Sequence, residues 1–258
     1  MKSLSRYFLI ASALFIFQTA QAASLKVGFA PEPYPPFAVP DASGQWSGWE
    51  IDMIHAVCKE AKLECELAPT AWDGLIPALE SGKIDMIMGA MSITDERKKV
   101  IDFSDKYYNT PGMVVSAKGM AVPATPEGMK GKIIGVVGGT THADYVKKHF
   151  GEVVSEIKEY QTQDEVNADL AAGRIDATQA DALAMDGFLK SDTGKNCCQS
   201  NGAVPNDDAI LGAGIGVGLR KTDTELKGKI NAAIKAMRDN GSYSELAKKY
   251  FDFDIYGN

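Results

Sequence analysis

The stretch "LESGKID", residues 79–85, returns 91 residues later as "LAAGRID", residues 170–176. Each copy reads as a helix end, a glycine that can stop the helix, a basic residue, and an isoleucine that opens a strand. A weaker echo pairs "KVGFAP" (26–31) with "IIGVVGGT" (133–140), 107 residues apart, and both read as strand into turn. One helix–glycine–strand unit recurs often by chance. Two echoes in the same order predict two similar α/β lobes.

Working outward, short apolar runs alternate with amphipathic segments along the whole chain, which is the α/β pattern. "LKVGFA" (25–30) reads as a strand. "EIDMIHAVCKEA" (50–61) puts Ile51, Ile54, Val57, Cys58 and Ala61 on one helical face. "WDGLIPALESG" (72–82) reads as a short helix capped by Asp73, with Pro77 near its first turn and Gly82 as its stop. Late in the chain, "GIGVGLRK" (214–221) is another strand, followed by two amphipathic helices. A chain leaving the second lobe so late returns to complete the first. The expected division is 23–110 with 213–258 as lobe one and 111–212 as lobe two. The crossovers then fall near Asn109–Met113 and Ala209–Gly214, forming a two-strand hinge with an inter-lobe cleft, a common place for small ligands.

The first 22 residues stand apart. Lys2 and Arg6 precede the apolar run "YFLIASALFIF", and Ala20–Gln21–Ala22 supplies a small-x-small cleavage site. This reads as a secretory signal peptide, too short to span a membrane. Without it, 25 basic residues face 34 acidic ones, a formal charge of −9. That balance argues against nucleic acid, which needs a basic footprint, and suits an exported monomer.

Four cysteines agree with export. On one continuous helix, Cys58 and Cys65 would lie about 10 Å apart along the axis, beyond disulfide reach. A bridge requires the helix to end between them and the chain to turn back, which "KEAKLEC" allows. The adjacent Cys197 and Cys198 are compatible with free thiols, a bond to each other or an intermolecular bond. No cysteine or histidine spacing matches a metal site, and no cofactor motif is present.

Chemistry concentrates in "GAMSITDER" (89–97). Thr94 reads as an N-cap with Asp95 and Glu96 in the first turn, where the helix dipole favours acids. Arg97 sits at that same positive end, where a cation is slightly disfavoured. It therefore calls for an anionic partner.

Beyond these local readings, the chain resembles the periplasmic amino-acid-binding proteins of ABC importers, and most of all the lysine/arginine/ornithine- and histidine-binding group. The resemblance is carried by "PYPPF" (33–37), "WDGLIPALESGKID" (72–85), "MSITDER" (91–97), "FSDKYY" (103–108), "GGTTHADY" (138–145), "GVGLRK" (216–221) and "LAKKYFDFDIYG" (246–257). Each motif alone is weak; the ordered set, running from about residue 25 to the C-terminus, is specific.

The resemblance implies the α/β periplasmic binding protein fold, a Cys58–Cys65 disulfide and an inner-membrane permease as partner. It also implies roles for residues. Arg97 matches the arginine that binds an α-carboxylate, supplemented by Ser92 and by backbone N–H groups around Gly89 and Ala90. Thr141 matches the residue gripping that carboxylate from lobe two, and Asp181 the acid holding the α-ammonium. Tyr34 and Trp72 match aromatics that flank the ligand side chain. His142 stands where glutamine is common. Glu32 is adjacent to Pro31, which stands where relatives reading cationic side chains carry an acid. A basic amino acid is the implied ligand, with an opine-like conjugate or a neutral polar amino acid as alternatives. A cyclohexadienyl dehydratase-like enzyme on the same fold and a ligand-presenting sensor module are the competing functions.

Overall fold

The computed structural model describes residues 24–257; the expected signal peptide lies outside the described residues. The chain lays down β1 (Leu25–Phe29), α1 (Trp49–Glu60), β2 (Cys65–Pro69), α2 (Leu75–Glu80), β3 (Met86–Ile87) and β4 (Asp102–Tyr108). It continues through β5 (Gly112–Ala117), β6 (Ile133–Val137), α3 (Thr141–Phe150), β7 (Glu156–Tyr160), α4 (Gln163–Ala171), β8 (Ala177–Asp181), α5 (Ala182–Lys190) and β9 (Cys198–Ala203). It closes with β10 (Ile215–Leu219), α6 (Thr224–Asp239) and α7 (Ser242–Ala247).

Two five-stranded sheets result, ordered β2-β1-β3-β10-β4 and β9-β5-β8-β6-β7. In the first, β1 runs parallel to β2 and β3, while β10 is antiparallel to β3 and β4. In the second, β6 runs parallel to β7 and β8, while β5 is antiparallel to β8 and β9. The two sheets share one plan: three parallel strands, then an antiparallel strand that arrives from the other sheet.

The repeated sequence has a steric reason. A Cβ on Gly28 of β1 would lie 2.3 Å from Ile84 Cδ1, and one on Gly135 of β6 would lie 2.5 Å from Ile175 Cδ1. Each glycine makes way for the isoleucine of "KID" or "RID", which enters the next parallel strand beneath it. Gly82, at φ +73°, and Gly173, at φ +69°, end the preceding helices in the left-handed conformation that costs glycine nothing.

Helix α1 buries Ile51, Ile54, Val57 and Cys58 together with Trp49 and Met53. It ends at Glu60, and Lys62 at φ +55° turns the chain back, so Cys58 and Cys65 form a disulfide. Cys197 and Cys198, which the sequence left open, are bonded to each other where the short helix Asp192–Cys197 meets β9. Residues 72–82 differ from expectation. A 3-10 turn occupies Trp72–Gly74 and α2 begins only at Leu75, so Asp73 lies inside the turn and its side chain caps nothing.

The tail packs on the first sheet. Ile230, Ala233, Ile234 and Met237 of α6 join Val27, Phe29, Trp49 and Tyr107 in one core. Each large side chain so buried contributes about 1.5–3 kcal/mol. The second sheet has its own core, in which Val114, Ile134 and Val136 meet Val146 and Phe150 of α3.

The chain passes between the sheets at 109–111 and again at 204–214. Both passages are laced to neighbouring backbone. Ile93 N–H donates to Gly214 O at 2.8 Å and Ala213 N–H to Ile93 O at 3.0 Å. On the other side, Ala182 N–H donates to Pro111 O at 2.8 Å.

Candidate functional site

Between the sheets, outside the carboxyl ends of β1, β3, β6 and β8, lies a cavity of about 110 Å³. Open α/β sheets bind ligands at such crevices, and this volume is that of several waters or one small molecule. All ten sequence-predicted residues border it. Glu32, Tyr34, Trp72, Gly89, Ala90, Ser92 and Arg97 come from the first-sheet side, and Thr141, His142 and Asp181 from the second.

Arg97 belongs to the one-turn helix Asp95–Lys98, whose cap Thr94 accepts from Arg97 N–H at 3.2 Å. Its guanidinium donates through Nη1 to Ser92 O at 3.0 Å and through Nη2 to Gly139 O, on the far wall, at 3.3 Å. Cζ lies 5.4 Å from the centre of the Trp72 ring. Burial pulls its pKa down to about 10, opposed by Asp144 and Asp181, so it stays charged at neutral pH. Asp102, the acid nearest Arg97 in the following sequence, pairs instead with Lys227 at 2.9 Å.

Asp181 ends β8 and faces Arg97's wall. Its Oδ2 accepts from the Tyr34 hydroxyl at 2.8 Å, a second bond across the cleft, and its Oδ1 lies 3.3 Å from His142 Nε2. Burial, then the Asp181 charge, holds the Tyr34 phenol well above its ordinary range, so it remains a donor. Next to it, α3 opens at Thr141. Thr140 is the cap: its hydroxyl accepts from Ala143 N–H at 3.2 Å and donates to Val137 O at 2.7 Å. Helix geometry leaves the N–H groups of Thr141 and His142 without intrahelical acceptors, an arrangement suited to an anion.

One expected contact is corrected. Ala90, at φ +55°, lines the cleft, but its N–H donates to Glu50 Oε2 at 3.2 Å and is not available beside Arg97. Glu50 itself was missed by sequence reasoning. It is 2 % exposed, accepts from the Tyr107 hydroxyl as well, and burial raises its pKa to about 7. An acid in the first turn of a helix is ordinary, so the sequence carried no signal of this. Gln179 was also missed, and it had one. It lies two residues before Asp181 on β8, hence on the same face, and it lines the cleft. Among the described residues, no group of three or more histidines, cysteines or acids is placed to hold a metal, and no helix is long and apolar enough to cross a membrane.

With this geometry in hand, known proteins offer a comparison. The profile of the bacterial extracellular solute-binding proteins, family 3, matches residues 25–253. The chain is 44% identical to an L-arginine-binding protein of Pseudomonas aeruginosa over 226 residues, covering 87% of each. It is 40% identical to the histidine-binding periplasmic protein of Escherichia coli strain K12, covering 95% of this chain and 96% of that one. A solved structure of an ancestral arginine-binding protein bound to arginine superposes with a TM-score of 0.80 at 34% identity, covering 88% of this chain and 98% of that one. These relatives bind solutes and are not enzymes, so the dehydratase-like alternative is not favoured.

Proposed function

The chain belongs to the bacterial extracellular solute-binding proteins of family 3, and from that premise we propose that it captures a basic α-amino acid in the cleft and delivers it to an ABC-importer permease. It works in the periplasm as a monomer, after removal of residues 1–22 as a signal peptide. Residues 23–110 with 213–258 form one lobe, 111–212 the other, and ligand draws them together.

The observation that carries this reading is the placement of Arg97 and Asp181 on opposite walls of one cleft, with bonds already spanning it. In the proposed complex Arg97 offers a planar fork of donors to the α-carboxylate, helped by Ser92, Gly89 and Thr141. Asp181 takes the α-ammonium. Tyr34 and Trp72 flank the side chain, whose cation their faces suit, and Glu32 with His142 faces its far end. Neither wall alone satisfies both charges of a zwitterion. Ligand therefore has greater affinity for the closed arrangement, which is all that closure requires.

The test is to denature purified protein and weigh the small molecule it releases, then to titrate that molecule by calorimetry. A released ligand lacking an α-carboxylate overturns the proposal. Glu32→Gln is expected to weaken arginine, ornithine or lysine far more than a neutral amino acid. A loss below about 0.5 kcal/mol, under the usual worth of a hydrogen bond to a charged group, places Glu32 outside the site.

A further inference from the structure

Helix α5 carries a glycine in its interior. Gly187 is the sixth residue of Ala182–Lys190, and its backbone is ordinary helix. An interior glycine weakens a helix relative to alanine, so this one needs a reason other than conformational freedom. The reason lies across the cleft. A Cβ on Gly187 would sit 3.0 Å from Pro35 O and 3.5 Å from Pro35 C, in the loop that carries Tyr34 on the first-sheet side. The same face of α5 meets that side one turn earlier, where Ala184 is buried with the first-sheet core, while Met185 and Phe188 join the second.

The loop that approaches Gly187 is held firmly. Tyr34 N–H donates to Ala38 O at 2.7 Å, and Ala38 N–H donates to Tyr34 O at 3.1 Å. Pro36 O and Phe37 O accept from the Trp49 and Glu50 N–H groups, each at 2.9 Å, which pins the loop to the start of α1. Pro35 therefore moves as one body with Tyr34, whose hydroxyl spans the cleft to Asp181. An opening that parts Tyr34 from Asp181 also lifts Pro35 from Gly187. A closing that restores the first contact must leave room for the second. A backbone oxygen fixed in this way cannot turn aside as the end of a flexible side chain would. Space for a Cβ at position 187 is thus present when the cleft is open and lost when it closes.

We propose that Gly187 is a positioning residue for ligand capture: its missing side chain sets how far the cleft can close. Added atoms there keep the two walls apart after ligand has entered. This rests on the closing-cleft reading above and adds to it a residue that touches no ligand. Ligand enters the open arrangement, which tolerates the added atoms, so the penalty falls on retention rather than on entry.

The experiment titrates L-arginine into the parent, Gly187→Ala, Gly187→Val and Gly228→Ala, with stopped-flow rates and small-angle scattering. Gly228 lies inside α6, and a Cβ there meets nothing beyond its own helix within 4 Å, so Gly228→Ala reports what replacing a helix glycine does by itself. Without arginine, both alanine variants are expected to melt at or above the parent's temperature. With arginine, Gly228→Ala binds like the parent and Gly187→Ala releases it faster. Gly187→Val, branched at the blocked atom, loses about tenfold or more in affinity. That loss appears in the dissociation rate, with association held within about twofold. Saturated with arginine, Gly187→Val stays more expanded than the liganded parent. Parent-like release and compaction in Gly187→Val overturn the proposal, and so does a loss carried by association. Should Gly187→Val fail to fold, Gly187→Ala decides, and release no faster than from Gly228→Ala overturns it. A parent that binds arginine without compacting overturns the closing reading and this proposal together. A parent that binds no arginine overturns the amino-acid reading on which both rest, before any variant is made.

Discussion

On one wall of the cleft Arg97 is held by backbone, its Nη1 on Ser92 O and its helix turn capped by Thr94. On the other wall Asp181 is held by side chains, by the His142 ring from its own wall and by the Tyr34 hydroxyl reaching across the cleft. Backbone carbonyls are the same whatever residues supply them, so Arg97, held in this way, suits a group common to all α-amino acids. The partners of Asp181 are side chains, which substitution can alter one at a time. In the proposed complex the shared carboxylate falls chiefly to Arg97, while the side chain falls to Tyr34, Trp72, Glu32 and His142, which come from both walls.

The contrast can be broken most directly at Arg97. Arg97→Ala leaves a buried carboxylate without its charge partner and should cost about 2–5 kcal/mol of binding. A parent near micromolar, about −8 kcal/mol, would then bind near or beyond millimolar. Calorimetry with several amino acids should show a similar loss for each; a loss confined to one ligand would contradict an Arg97 that reads only the shared carboxylate.

Changes on the opposite wall are expected to be smaller and ligand-dependent. Asp181→Asn should weaken binding by about 1.5–3 kcal/mol, the worth of a charged hydrogen bond. It also removes the charge that holds Tyr34 across the cleft, so small-angle scattering should show less compaction with ligand. A liganded parent whose radius never changes would sink the closing account regardless of affinities.

Glu50 sharpens the picture of the Arg97 wall, because it holds Ala90 in place from behind. Its pKa in the folded chain is raised to about 7 by burial, against an ordinary value of 4.5. The unfolded chain therefore releases this proton first as pH rises. Glu50's contribution to stability is fully present below about pH 4.5 and falls away between there and about pH 7. Melting temperatures measured from pH 4 to 8 should show that decline in the parent and a flatter profile in Glu50→Gln. Equal slopes would mean that Glu50 titrates normally. The smallest expected effect is at the vicinal disulfide: replacing Cys197 and Cys198 by serine should leave affinity within about 0.5 kcal/mol, as for changes remote from a site.

What was legible in the sequence is what short-range sterics and charge dictate. The paired echoes could be read because a glycine and an isoleucine must alternate between adjacent parallel strands, as Gly28 does with Ile84 and Gly135 with Ile175. Arg97 stood out because a cation at a helix N-terminus needs an explanation. The Cys58–Cys65 bridge required only that α1 end in time. Other features depend on contacts between distant segments. Glu50 and Ala90 are 40 residues apart, and nothing local to either indicates that one takes the other's N–H. Gln179 could have been found by stepping back one strand period from Asp181, but its lack of partners is a property of the packed interior. Asp73 failed as a cap because a 3-10 turn displaced the helix start, a choice of a few degrees that residue preferences do not resolve.

The lacing of the two passages between the sheets has a mechanical consequence. Ile93, in the loop that carries Arg97, is bonded to Ala213 and Gly214, and Ala182, next to Asp181, is bonded to Pro111. Arg97 and Asp181 are therefore both mounted close to the passages between the sheets, the pivot of the proposed closure. In a rotation, displacement grows with distance from the axis, so in the proposed closure the rims of the two lobes sweep a wide arc while Arg97 and Asp181 travel little. The jaws grip nearest the fulcrum, as a nutcracker does. On the proposed reading, a zwitterion is held where leverage is greatest and misalignment least, and a longer side chain pointing toward the rim meets a gap whose width small changes of angle can adjust.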